Sequence, residues 1–316
     1  MGKTVFVTGL AGYLGECLGR ELDRGAFCDR FYGIDVKPPL SKYERGEARR
    51  LDVTGKSAAA WIREIRPDVL IHMAFVVTPV HDENLMHRVN VTGTKNVMEA
   101  ALAAGVKQIM VTSSGTAYGA FPDNPVPLNE TDPIRRHPDF PYARDKAEVE
   151  AYLSEFQAKH PEIKLCWVRP SVIYGPSVNN YISALFTLPV ALAPVGSAPP
   201  FQFVHEDDVV SAMLFLLEKE ATGPYNLAPP DFMTVSEVNA LTKRPAVPMT
   251  DLMLKAAFGL AWKLGLPILK APPSFVDYVR YPWAMNPKKL LDLGFRFRYS
   301  TRETMEIMLR SKGVLR

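Results

Sequence analysis

Tyr142 and Lys146 stand four residues apart in Tyr142-Ala143-Arg144-Asp145-Lys146, and of the twelve tyrosines only Tyr142 has a lysine at that spacing. Residues i and i+4 share a helix face, so the ammonium can lie beside the phenol. A phenol titrates near pH ~10 and is a poor base at neutral pH. A neighbouring cation favours the phenolate and moves it toward general acid/base duty. Upstream, Thr112-Ser113-Ser114 offers hydroxyls that can hold a substrate oxygen while the phenol exchanges its proton. Alone, each motif is ordinary. A Tyr-Lys pair also suits a solvated helix face, and serines after a strand are usually turn residues.

A third motif precedes both. Thr8-Gly9-Leu10-Ala11-Gly12-Tyr13-Leu14-Gly15 follows one β-branched run and opens a helical one. Gly9, Gly12 and Gly15 let the backbone turn sharply and approach a pyrophosphate, which the helix N-terminus then stabilises. The spacing is GxxGxxG, and a plain strand-to-helix turn is the competing reading. Asp35 ends the second strand pattern. A carboxylate there accepts both ribose hydroxyls of an adenosine and repels a 2′-phosphate. No arginine lies in the glycine loop, although Lys37 is near, so NAD is expected rather than NADP. An oxidised nicotinamide would add a second cation favouring the Tyr142 phenolate.

These residues need rigid elements behind them. Strands are predicted over Lys3–Thr8, Phe31–Asp35, Asp68–Ala74, Gln108–Thr112 and Ile163–Val168. Helices are predicted over Tyr13–Arg24, Ser57–Ile65, Asn84–Ala104 and Tyr142–Lys159, where Pro141 suits a first turn. Such alternation predicts an α/β fold, a Rossmann-type doubly wound parallel sheet, with ligands at the carboxyl ends of its strands. Proline then becomes frequent, and a loop-rich, smaller C-terminal substrate-binding cap is expected rather than more sheet. The division predicted is 1–168 for the NAD-binding domain and 169–316 for the cap. The segment 206–228 returns to the first domain through a helix over Glu206–Glu218 and a strand over Tyr225–Leu227.

The bulk numbers agree with a globular enzyme. The chain has 316 residues, 47% hydrophobic and 22% charged, with a net charge of +3. Arg49-Arg50, Arg135-Arg136 and Lys288-Lys289 are too short for a nucleic-acid footprint and read as solvated surface. Cys17, Cys28 and Cys166 form no CxxC pair, which suits a reducing compartment. The N-terminus lacks a signal-peptide pattern, and Phe6 stands where a myristoylation signal wants Ser or Thr. A cytoplasmic protein is expected, with no metal site.

The sequence resembles the extended short-chain dehydrogenase/reductases, the NAD-dependent epimerase/dehydratase family. The resemblance runs through TGLAGYLG, GID at Asp35, LDVT at Asp52, HMAF at His72, NVTGT at Asn90, TSSGTAYG, YARDK, RPSVIYGP and FVHEDD, in family order. It implies Tyr13 and Leu14 at the pyrophosphate, Asp35 at the ribose, and Asp52 and Val53 at the adenine. Met73, Ala74, Phe75, Asn90, Thr112, Pro170 and Ser171 would line the rest of the cofactor. Ser114, Tyr142 and Lys146 would form the catalytic triad, with Lys146 also holding the nicotinamide ribose. Ser114 is preferred over Ser113 because it stands four before Tyr118. A homodimer is implied too, pairing Asn84–Ala104 with Tyr142–Lys159 in a four-helix bundle. Val149, Leu153 and Phe156 suit either that interface or the sheet.

Two positions depart from the nucleotide-sugar epimerases that the sequence resembles. Val172 replaces an Asn that helps bind the substrate diphosphate, and Phe201 replaces an Arg. The expected function is therefore NAD-dependent hydride transfer at a secondary alcohol or ketone carbon of a non-nucleotide substrate. A nucleotide-sugar epimerase or dehydratase with retained NAD is the alternative. A dinucleotide-sensing regulator is a further one, against which the retained Ser114, Tyr142 and Lys146 speak. Finally, Thr250–Lys270 places Asp251, Lys255, Gly259 and Lys263 in a polar stripe on an apolar helix. It reads as a helix packed on the cap, an apolar lid over a hydrophobic substrate, or a membrane-surface contact; its lysines rule out a transmembrane span.

Overall fold

The computed structural model describes residues 2–196, 199–266 and 270–315. Its centre is a sheet whose strands alternate buried side chains between two faces. In β1 (Thr4–Thr8), Val5 and Val7 pack on one face and Phe6 on the other. β4 (Val69–His72), β5 (Gln108–Thr112) and β6 (Lys164–Pro170) repeat this, with Ile71, Met110 and Cys166 opposite Leu70, Ile109 and Trp167. Apolar side chains on both faces require cover on both faces. Helix α1 (Tyr13–Asp23) covers the first. Helices α2 (Lys56–Ile65), α4 (Gly93–Ala104) and α5 (Pro141–Lys159) cover the second.

With β2 (Arg30–Asp35), β3 (Gly46–Arg50) and β10 (Gly223–Leu227), the order is β10-β6-β5-β4-β1-β2-β3, all parallel. The chain reverses its direction of winding between β1 and β4, so a crevice opens there at their carboxyl ends. The expected doubly wound sheet is present. Strand β3 is an addition to the expected set. Its sequence GEARR is charged because it is an edge strand, with its last three residues exposed.

The helix expected over Asn84–Ala104 is broken. It runs as α3 (Glu83–His87), a π-helical turn over Arg88–Thr92, and then α4. The turn sits where Asn90 is fully buried and bonded to neighbouring elements, and side-chain periodicity does not reveal such a bulge.

The cap has more strand than expected. β7 (Val172–Tyr174) and β9 (Phe203–His205) form one two-stranded parallel ribbon, and β8 (Ala191–Pro194) and β11 (Ala246–Met249) another. Around them lie α6 (Tyr181–Leu185), α8 (Val235–Thr242), α9 (Asp251–Lys263), α10 (Phe275–Arg280) and α12 (Thr301–Ser311). Residues 206–227 add a helix and an edge strand to the sheet. α7 (Glu206–Glu218) packs on its first face, and β10 pairs with β6. α11 (Lys288–Asp292) lies beside β10 and refines the reading of Lys288-Lys289: Lys289 Nζ bonds the Pro224 carbonyl at 2.7 Å and lies over Tyr225.

Val149, Leu153 and Phe156 are buried against the sheet, so they are not interface residues. In α9, Leu254, Phe258 and Ala261 enter the cap core. Its polar stripe faces α10: Lys255 pairs with Asp277 at 2.8 Å, and Asp251 with Arg280. The helix ends at Lys263; positions 267–269 of the longer helix expected lie outside the described residues. Among the described residues, no helix is long and apolar enough to cross a membrane.

Candidate functional site

The glycine loop closes the carboxyl end of β1. Gly9 has φ +79°, and a Cβ there would fall 2.7 Å from the Met73 and Ala74 backbone. A Cβ on Gly15 would fall 2.1 Å from the Gly9 carbonyl oxygen. Both positions therefore need glycine for backbone-to-backbone packing. Gly12 caps α1 with no side-chain hydrogen bond, which leaves the first amides, those of Tyr13 and Leu14, at an uncapped positive helix end. The Tyr13 hydroxyl turns away and donates to Glu206 of α7. Asp35 stands beside the loop. Its carboxylate accepts from the Ala11 and Lys37 amides, each at 3.1 Å. Asp52 accepts from Thr54, and Val53 is buried where a Cβ on Gly93 would meet it at 2.7 Å. Ser171 Oγ is buried with no hydrogen-bond partner. A cradle of required glycines, a carboxylate at the end of β2 and an orphaned buried hydroxyl fit a dinucleotide.

The chemical end lies across the crevice. Tyr142 and Lys146 open α5, and both are buried. Burial pushes the Tyr142 hydroxyl up to about 12, and a hydrogen bond with Ser114 pulls it back in part. Ser114 Oγ also accepts from the Thr116 amide at 3.2 Å and lies 2.9 Å from its hydroxyl. Lys146 is 1% exposed, and burial holds its pKa well below the usual lysine range. Its Nζ donates to the Thr112 carbonyl at 2.7 Å and lies 2.9 Å from the centre of the Phe75 ring. From spacing, Lys146 is expected to favour the Tyr142 phenolate. In the fold its ammonium is 5.7 Å from the centre of the phenol ring, and desolvation dominates.

The two serines separate. Ser113 donates to Glu150, one turn beyond Lys146 on α5. That carboxylate also accepts from Trp167 Nε1 at 3.0 Å and from Arg169, with which it forms a buried ion pair. Arg169 reaches on to Tyr118, whose hydroxyl meets Asn226 of β10 at 2.9 Å. Ser113 is thus tied into the scaffold, whereas Ser114 is beside Tyr142.

A second buried chain fixes the cofactor side. His72 Nδ1 meets the Thr8 hydroxyl at 2.6 Å, and His72 Nε2 meets that of Thr94 at 2.9 Å. Because Thr94 Oγ1 donates to the Asn90 carbonyl, it accepts from Nε2–H, so His72 is the neutral Nε2–H tautomer. Burial, which drops its pKa to about 3, agrees. The Asn90 amide is occupied by Val76 and Asp145, so it holds the loop carrying Met73, Ala74 and Phe75. Thr112 likewise serves Lys146 through its carbonyl. Pro170 ends β6 opposite Leu227.

Beyond Ser114 the cap encloses a cavity of about 130 Å³, lined by 23 residues that are nearly all apolar, among them Val172, Tyr181, Phe258, Phe275 and Trp283. Phe201 is in its wall too, and Thr116 and Phe140 join it to the Ser114 and Tyr142 end. Sequence reasoning missed Tyr174, Tyr181 and Tyr278 in this wall, because isolated aromatic residues in a cap carry no periodic signal.

Residues 5–228 match the model of the NAD dependent epimerase/dehydratase family. The uncharacterized protein y4nG of Sinorhizobium fredii is 28% identical over 96% of this chain and 77% of its own. The UDP-glucose 4-epimerase of Mycolicibacterium smegmatis is 30% identical over 54% of this chain and 56% of that enzyme. Among solved structures, the UDP-glucose 4-epimerase of Thermus thermophilus in complex with NAD superposes with a TM-score of 0.72, at 24% identity over 98% of both chains. MoeE5 in complex with UDP-glucuronic acid and NAD gives 0.75, at 23% identity over 98% of this chain and 99% of that one. At these identities the likeness to the two structures is one of fold.

Proposed function

The chain belongs to the NAD dependent epimerase/dehydratase family, and from that premise we propose that it carries out NAD-dependent hydride transfer at a secondary alcohol or ketone carbon of an apolar, non-nucleotide substrate. The apolar cavity, whose wall residues Thr116 and Phe140 contact Ser114 and Tyr142, carries this reading. A diphosphate in such surroundings would lose charge-assisted hydrogen bonds worth about 1.5–3 kcal/mol each. Bound NAD supplies the two-electron acceptor or donor. Tyr142 takes the hydroxyl proton as the carbinol carbon is oxidised and returns it in the opposite direction. Ser114 would hold the substrate oxygen, and Lys146, anchored on the Thr112 carbonyl, would hold the nicotinamide ribose.

The second reading, a nucleotide-sugar epimerase or dehydratase, draws support from the relatives that act on UDP-glucose. A panel of UDP- and dTDP-sugars beside aliphatic and sterol-like alcohols separates the two, followed by NADH absorbance and by product chromatography. Turnover of the alcohols alone is expected; turnover of a nucleotide sugar alone would promote the second reading.

Asp35 is proposed to set cofactor choice. Asp35→Ala should narrow the preference in kcat/KM for NAD over NADP, because the repulsion of a 2′-phosphate goes with the carboxylate. Equal use of both cofactors by the unmodified protein would refute the assignment.

A homodimer through the outer faces of α4 and α5 is also proposed. Those faces leave Leu102, Ala103, Ala151 and Glu155 exposed. Light scattering at micromolar concentration should give twice the 35.2 kDa chain mass; a monomer would count against the pairing.

A further inference from the structure

The cavity wall carries a charge for which the described residues supply no counter-charge. The turn after α8 brings Arg244 to the wall, where Nη1 donates to the carbonyls of Leu188 at 2.6 Å and Leu185 at 3.4 Å. Those bonds pin the guanidinium but do not neutralise it. Nε is buried with no hydrogen-bond partner. Burial lowers the Arg244 pKa, and among the described residues no neighbouring charge opposes it. An arginine stays protonated even so. A second orphan shares the wall. Tyr174 is fully buried, stacks on Phe203 at 5.2 Å, and leaves its hydroxyl unpartnered. A buried donor without a partner costs about 1–3 kcal/mol, and two in one mostly apolar cavity point to a ligand that satisfies them. On the Arg244 side a solvent-facing groove continues the cavity, lined by Ser236, Asn239, Lys243 and Arg244.

We propose that the cavity takes an amphipathic ligand with an anionic head, a carboxylate or phosphate, at Arg244. Its apolar body lies along Tyr181, Phe258, Phe275 and Trp283. Its oxygen-bearing carbon reaches Ser114 and Tyr142. This deepens the proposed function and rests on it for the reacting end only. Arg244 binds the head bidentately through Nε and the free edge of the guanidinium, as planar anions are usually held. Tyr174 supplies a hydroxyl along the way.

The test is calorimetric titration of the NAD-loaded protein with decanoate, decyl phosphate, decanol and UDP, with no turnover required. Decanoate or decyl phosphate should bind about tenfold or more tightly than decanol, and the tighter of the two identifies the head. UDP, which has the charge without the apolar body, should bind more weakly than either. Arg244→Met should abolish the preference over decanol, and Arg244→Lys should keep part of it, each with NAD affinity unchanged as the sign of an intact fold. Equal binding of decanol by the unmodified protein, tighter binding of UDP, or a preference that survives in Arg244→Met would each overturn the proposal. The comparison within the unmodified protein decides the matter even if the methionine variant does not fold. Failure here with Tyr142-dependent turnover intact removes the anionic head alone. The expected binding without any turnover removes the hydride-transfer reading alone.

Discussion

Replacing Tyr142 by Phe should lower kcat by about 10²–10⁴-fold, the usual contribution of a positioned general acid/base. The ring stays, so its packing beside Phe140 and within the cap cluster persists, and NAD affinity should be unchanged. The exchange of a proton with the substrate oxygen is what disappears. The direction of the Tyr142 shift adds a pH signature. Burial raises its pKa to about 12, so the phenol is protonated through the neutral range. Reduction uses the protonated form and should be nearly flat with pH there. Oxidation uses the phenolate, whose fraction rises about tenfold per pH unit below the pKa, so kcat/KM for an alcohol should climb with pH. Turnover and its pH profile, on whichever substrate the panel returns, check both. Activity in the Phe variant within about threefold of the original would sink the assignment, since a positioned acid/base is worth far more.

Glu150→Leu should destabilise the fold by about 3–5 kcal/mol, because it leaves the buried Arg169 guanidinium without its partner. The carboxylate accepts from Ser113, from Trp167 and from both Nε and Nη2 of Arg169, so the substitution also orphans two neutral donors. Adding Arg169→Met should recover part of the loss, since an apolar pair is often no worse than a buried ion pair. Urea denaturation of the single and double variants reads this out. A single-variant loss under ~1 kcal/mol, or a double variant less stable than both singles, contradicts the account.

The same pair shows what was legible in the sequence and what was not. Tyr142 and Lys146 share a helix face by spacing alone, and Glu150 is the next residue on that face. Its role was invisible, because its partners come from β6 and from the residue that follows β5, and sequence carries no register between strands. The glycine loop, Asp35 and the presence of the inner strands were readable, since apolar runs and glycine spacing are local. The edge strand β3 was not, because its residues are chosen for solvent. The cap was the least readable. Its ribbons join segments far apart in the chain, and nothing local in the sequence marks Arg244 as a residue of an apolar wall. The shift of Tyr142 escaped for a related reason: spacing reports a neighbouring charge but not the loss of water around the phenol.

The placement of β10 has a consequence for handling the molecule. Strand β6 is apolar on both faces, and its outer edge pairs with residues 223–227, which arrive more than fifty residues later, after a passage through the cap and then α7. A fragment ended at 168 would bare a row of unpaired amides and carbonyls along Leu165–Val168. An exposed, flat, hydrophobic edge of that kind is a template on which a second chain can add a strand. During synthesis the sheet likewise stays open on that side until position 227 has emerged, so the nascent chain is most prone to aggregate in the interval between those two points.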